Sequence, residues 1–116
     1  MRNDEKLKKL FICDLGLNSQ INDYFVDLLT ELRKKQISIT YVDHHYLDSK
    51  VITKLKKNKV KLIHDTSECT AVLIYDAFKK QLPEHSTFIA ACAAVTDYME
   101  NKPIGSKLLQ IYDRQF

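Results

Sequence analysis

The alternation of short apolar runs with longer amphipathic stretches constrains the fold of this chain more than any other feature. Lys9 to Asp14 carries Leu10-Phe11-Ile12-Cys13 and reads as a buried parallel strand ending in an acid. Gly16 and Asn18 mark a turn, and Ser19 can cap a helix. Ile21, Phe25, Leu28, Leu29 and Leu32 then recur at helical spacing, which predicts an amphipathic helix over residues 20–35. Its last turn holds Arg33-Lys34-Lys35, where cations suit the helix dipole. Ile37 to Val42 alternates β-branched and aromatic residues as a second strand. Strand, helix and strand within about 30 residues form a βαβ unit, which leaves the two strands parallel.

The pattern continues along the chain. Asp48 or Ser49 can cap a helix through Val51, Ile52 and Leu55 to about Asn58. Val60-Lys61-Leu62-Ile63 is a third strand. Asp65-Thr66-Ser67-Glu68 has the character of a capping box. It predicts a helix through Val72, Leu73, Tyr75, Ala77 and Phe78 that stops before Pro83. Ser86 or Thr87 opens a small-residue helix from Phe88 to Val95, whose alanines allow close packing against the sheet. Gly105-Ser106 begins a last short helix from Lys107 to about Tyr112. The fold class implied is α/β: three-layer, with parallel strands at residues 9–14, 37–42 and 60–64 and helices on both faces.

A chain of 116 residues is one domain or part of one. Its 45% apolar and 28% charged content is that of a soluble globular protein. The net charge of +3 admits phosphate-bearing partners without singling out nucleic acid. Cys13, Cys69 and Cys92 are odd in number and form no CxxC pair, so they read as reduced thiols in a cytoplasmic protein. They are too scattered for a zinc site. No apolar run approaches the roughly 18 residues of a membrane span. Met1 to Lys6 is too polar for a signal peptide.

The chemistry concentrates at Val42-Asp43-His44-His45. An acid and two imidazoles stand where a buried strand opens into a loop, in a chain with only 4 His. Carboxylate oxygen and imidazole nitrogen together suit divalent ions such as Mn²⁺ or Zn²⁺. Asp14 ends the first strand, and Asp97 follows Ala93-Ala94-Val95-Thr96. Ligands of open parallel sheets bind outside the carboxyl ends of the strands, and there Asp14 and Asp43 should be neighbours. Taken singly, Asp14 could cap a helix and Asp97 could end one before Lys102-Pro103. His64-Asp65 suits a capping or supporting role, and His85 a solvent-exposed loop. The lysines from Lys50 to Lys61 lack interleaved aromatics and suit a solvated surface.

On these residues the chain resembles the DHH phosphoesterases, which include RecJ-type exonucleases, nano-RNases, cyclic-dinucleotide phosphodiesterases and type II pyrophosphatases. The resemblance rests on Ile12-Cys13-Asp14-Leu15-Gly16, Val42-Asp43-His44-His45, Ser67-Glu68-Cys69-Thr70-Ala71 and Ala94-Val95-Thr96-Asp97, in the order of the family's second to fourth motifs. It implies two divalent ions, Mn²⁺ or Mg²⁺, at the carboxyl edge of the sheet. Asp14 would bridge both ions, and His44 and Asp97 would bind one. Asp43 would be a ligand or an orienting neighbour, and His45 would face the substrate phosphate. His45 and Asp43 are thus the implied catalytic residues, and Asp14, Asp43, His44 and Asp97 the implied metal ligands. The substrate would be an oligonucleotide or nucleotide.

The family's first motif, Asp-x-Asp on a preceding strand, has no match upstream of Asp14, where Asn3-Asp4-Glu5 is polar. Tyr98-Met99 stands where the family continues Thr-Gly, and the family's second domain has no counterpart. The resemblance therefore implies a partial DHH catalytic domain over residues 1–116, with one metal site incomplete and low activity by itself. A non-catalytic DHH-like module that binds nucleic acid or a protein partner is the alternative. A response-regulator-like domain ranks below both, because it has no use for His44-His45. An exposed sheet edge invites pairing with another chain, so a homodimer or a missing upstream segment is expected.

Overall fold

In the computed structural model, which describes residues 7–97, 99 and 101–113, the chain divides into two compact units, Met1–Ile63 and His64–Phe116. Asn3-Asp4-Glu5 and Tyr98 lie outside the described residues. The fold class is α/β, built on a parallel three-stranded sheet.

The first unit runs β1 (Lys9–Cys13), α1 (Asn22–Lys34), β2 (Ser38–Asp43), α2 (Ser49–Lys57) and β3 (Lys61–His64), with strand order β1-β2-β3. β1 and β2 pair in parallel from Lys9 opposite Ser38 to Cys13 opposite Val42. Side chains alternate across a strand, so Leu10 and Ile12 share a face with Ile39 and Tyr41. That face packs on Phe25, Val26 and Leu29 of α1 and on Val51 and Leu55 of α2. Leu28 and Ile21, expected on the core face of α1, are exposed. The helical period allows them, but the sheet covers a narrower arc than the apolar stripe.

Asn18, not Ser19, organises the entry to α1. Its Oδ1 accepts the N–H of Gln20 at 3.0 Å and of Ile21 at 3.2 Å. Asp48 caps α2 by accepting the Lys50 N–H at 2.8 Å. Arg33 leaves the dipole of its own helix for two carbonyls, those of Asn58 (3.1 Å) and Ile37 (2.9 Å), and so ties the ends of α1 and α2 to the start of β2. Both helices end in left-handed residues without glycine, Gln36 and Lys59, each at φ 61°.

The second unit holds α3 (Thr70–Phe78), a short 3₁₀ turn (Lys79–Gln81), α4 (Ser86–Thr96) and α5 (Pro103–Asp113). The alanines of α4 allow the close packing expected of them: Ala90, Ala91 and Ala94 form a core with Cys69, Val72 and Leu108, from the start of α3 and from α5. The capping box at Asp65–Glu68 does not form. Asp65 closes a local turn on the Ser67 N–H (2.8 Å) and hydroxyl (2.5 Å), and α3 begins only at Thr70. Those two bonds, the hydroxyl's first, hold the Asp65 carboxyl below its usual range.

Glu68 is buried, and its carboxylate accepts the N–H of Ile104 at 2.6 Å and of Gly105 at 3.3 Å. It therefore satisfies the first turn of α5. That helix begins at Pro103, four residues before the expected Lys107. Proline at the first helical position lacks only an N–H that would have no partner there. A Cβ on Gly105 would stand 2.6 Å from the Met99 carbonyl, so the close approach of this turn requires glycine. No helix among the described residues is long and apolar enough to cross a membrane.

Candidate metal centre

Two loops leave the carboxyl edge of the sheet side by side, one after β1 and one after β2. Asp14 extends the β1 ladder by one bond, donating its N–H to the Val42 carbonyl at 2.9 Å. It then turns the chain out of the strand at φ 60°. Aspartate tolerates that left-handed conformation better than most residues. On β2, Tyr41 and Asp43 are two residues apart and share the inward face. Both are fully buried, at 0% exposure.

Tyr41 acts as the post between the loops. Its ring meets Phe25 edge-on at 5.4 Å. Its hydroxyl donates to the Leu15 carbonyl and lies 3.4 Å from Asp43 Oδ2. Burial pushes the Tyr41 phenol far up from its ordinary value. The Asp43 charge, the hydrogen bond to Asp43 and the Asp14 charge add to the shift. Tyr41 is therefore a neutral donor that fixes Leu15, and with it the position of Asp14.

Asp43 Oδ1 lies 2.8 Å from His45 Nδ1. The other side of the His45 ring is met by Gly16, where an added Cβ would stand 3.3 Å from the imidazole. A buried carboxylate and a glycine backbone thus set the orientation of a half-exposed imidazole. His44 sits deeper, its side chain 16% exposed against 59% for Asp14, and its Nε2 lies 3.3 Å from Asp14 Oδ1. The two imidazoles stand 4.6 Å apart, tilted by 52°. One ligand atom from each of Asp14, His44 and His45 falls within 4.8 Å of the others.

The spacing can be tested against an ion. Two donors about 2.1 Å from one octahedral cation stand about 3 Å apart when adjacent and about 4.2 Å when opposite. The 3.3 Å between His44 and Asp14 fits the first, and the 3.9 Å between His45 Nδ1 and Asp14 falls between the two. His45 Nδ1 already faces Asp43 at 2.8 Å, so His44 and Asp14 are the pair spaced to share an ion. A carboxylate with an imidazole suits Mn²⁺ better than Mg²⁺, which takes oxygen almost alone.

The sequence-derived residues belong to both units. Asp14, Asp43, His44 and His45 come together in the first unit. Asp97 belongs to the second, where it ends α4 and donates its N–H to the Ala93 carbonyl at 3.0 Å. An acid at a helix C-terminus opposes the dipole, so α4 gains no stability from it. Burial and then the Asp14 charge push the Cys13 thiol up, which disfavours its thiolate. Tyr41 and Gly16 were not recognised from sequence as parts of the site. The period-2 placement of Tyr41 with Asp43 could have flagged the tyrosine. The contact of Gly16 with His45 joins two loops and has no local signal. No protein-family model, curated protein or solved structure matches this chain.

Proposed function

We propose that this chain is a metal-dependent phosphoesterase domain of the DHH type, cytoplasmic, acting on phosphodiester or phosphoanhydride bonds of short oligonucleotides or nucleotides. The observation that carries the reading is the convergence of Asp14, His44 and His45 at the carboxyl edge of a parallel sheet, with Asp43 buried behind His45. Asp14 and His44 would hold the ion, Mn²⁺ before Mg²⁺. Bound there, a divalent ion lowers the pKa of coordinated water and draws charge from the phosphate oxygens.

The chain's own residues do the rest. Asp43 sets Oδ1 against His45 Nδ1 at 2.8 Å, while Oδ2 lies 3.4 Å from the Tyr41 hydroxyl, whose proton goes to Leu15. Of the two roles open to it, it takes the orienting one. With Nδ1 committed to Asp43, His45 meets a ligand through Nε2, fixed in tautomer and direction. It can then hold a phosphate oxygen or move a proton to the departing oxygen. The left-handed turn at Asp14 keeps its carboxylate at the edge, facing the same ligand.

A second reading is a DHH-like module that binds nucleic acid or a partner without hydrolysis. It is favoured by the exposure of Asp14 (59%) and His45 (46%), because an enclosed site would exclude water better. Calorimetry with Mn²⁺, together with hydrolysis of short oligonucleotides, separates the two. The phosphoesterase reading expects Mn²⁺ binding that Asp14→Ala or His44→Ala abolishes, and cleavage that falls with it. Asp43→Asn keeps the shape but removes the charge behind His45, and should cost about tenfold in metal affinity or turnover. Metal binding without hydrolysis of any phosphoester would favour the module. Mn²⁺ affinity unchanged by Asp14→Ala would remove the metal reading altogether.

A further inference from the structure

The loop that carries the two imidazoles is anchored at both ends and displays what lies between. Asp43 is fully buried at one end, and Leu47 is 5% exposed at the other, where it joins the core of the first unit. Asp48 then caps α2. Between these anchors stand His44, His45 and Tyr46. The metal reading gives work to both histidines and none to Tyr46. Yet Tyr46 is 79% exposed, the most exposed large apolar side chain among the described residues. Single exposed aromatics are ordinary on protein surfaces. This one directly follows His45 on a loop of fixed ends. The loop after β1 exposes Leu15 (45%), held by Tyr41 at its carbonyl and next to Asp14 in the chain. The Gly16–His45 approach brings the two loops together. Each loop that carries part of the polar cluster thus also carries an exposed apolar side chain next to it in sequence.

That arrangement suits a ligand with a charged group at the cluster and a flat apolar body beside it. Inorganic phosphate or pyrophosphate would leave the phenol ring in water. A nucleotide would place its phosphate at Asp14, His44 and His45 and its base on the ring. We propose that Tyr46 is the base-stacking residue of this site, so that the ligand is a nucleotide or dinucleotide and not an inorganic phosphate. The inference rests on the phosphate-binding reading above. Stacking on an aromatic side chain contributes about 1–3 kcal/mol per base, or roughly 5- to 150-fold in affinity.

The test titrates the full chain with Mn²⁺ present, by calorimetry, using a phosphorothioate dinucleotide, its abasic counterpart and inorganic phosphate. Tyr46→Ala should weaken the dinucleotide at least fivefold. It should leave the abasic compound, inorganic phosphate and Mn²⁺ itself bound as in the parent, and Tyr46→Phe should restore dinucleotide affinity. Equal dinucleotide affinity for parent and Tyr46→Ala overturns the proposal. So does an equal loss for all three ligands, which would mean only that the loop had been disturbed, and so does a parent chain that binds phosphate but no dinucleotide. In those cases Mn²⁺ binding that depends on Asp14 leaves the metal reading standing. Conversely, Tyr46-dependent dinucleotide binding without Asp14-dependent Mn²⁺ binding would keep the stacking site and remove the metal.

Discussion

Replacing Glu68 by alanine should destabilise the second unit by about 2–4 kcal/mol, through loss of hydrogen bonds that the first turn of α5 cannot replace. The carboxylate is 1% exposed and accepts from Ile104 at 2.6 Å and Gly105 at 3.3 Å. A hydrogen bond to a charged group contributes about 1.5–3 kcal/mol, and the longer contact about half of that or less. Removing the carboxylate also relieves its burial, but the two N–H groups remain and Gly105 stays buried, so the relief is partial. Deleting the Cγ methylene behind the carboxylate adds to the loss. Glu68→Gln should fall between parent and alanine. One amide oxygen can still accept, while the amide N–H₂ faces a second donor. In urea, monitored by far-ultraviolet circular dichroism, a slope of about 1–1.5 kcal/mol per molar turns the alanine loss into a midpoint shift of about 2 M. Amide exchange at Ile104 and Gly105 should quicken before that elsewhere in α5. A midpoint unmoved by Glu68→Ala, with exchange at those two amides unchanged, would refute the reasoning, because α5 would then be capped by something other than Glu68.

Two more outcomes follow from single residues. Lys59 and Gln36 hold left-handed backbone at φ 61°, which costs a side-chain-bearing residue about 1 kcal/mol over glycine. Lys59→Gly or Gln36→Gly should therefore stabilise by up to about 1 kcal/mol, read as a rise in the urea midpoint. A fall would show that their side chains contribute more than the strain costs. Tyr41 has a folded-state pKa raised above its unfolded value, by burial first and then by Asp43. Its contribution is thus complete below about pH 10 and is lost as pH climbs through the folded value. Titration at 295 nm should show one phenol ionising after the others, absent in Tyr41→Phe. The variant's stability should fall less steeply above pH 10 than the parent's.

What could be read from sequence divides along the range of the interactions. The strands, α1 and α2 follow from periodicity and local caps, so Lys9–Cys13, Ser38–Asp43 and the Asp48 cap emerge within a residue or two of expectation. The convergence of Asp14 with His44 follows from parallel topology alone. Two strands joined by one crossover end at the same edge, and the register that pairs Cys13 with Val42 sets the next residues, Asp14 and Asp43, side by side. Local rules fail where the partner is distant. Glu68 has the spacing of a capping-box acid for α3, yet it serves α5, whose backbone lies 36 and 37 residues further on. Recognising Pro103 as a helix start required knowing that a distant acceptor, Glu68, would arrive for the N–H groups of Ile104 and Gly105. The same limit hid Gly16, whose meaning depends on a histidine in another loop. Asp43 was legible as polar and strand-terminal, but its choice between ligand and orienting neighbour turns on which groups its two oxygens meet. Only the fold brings the His45 ring to within 2.8 Å of Oδ1 and buries the carboxylate behind it, which is the geometry the orienting role needs.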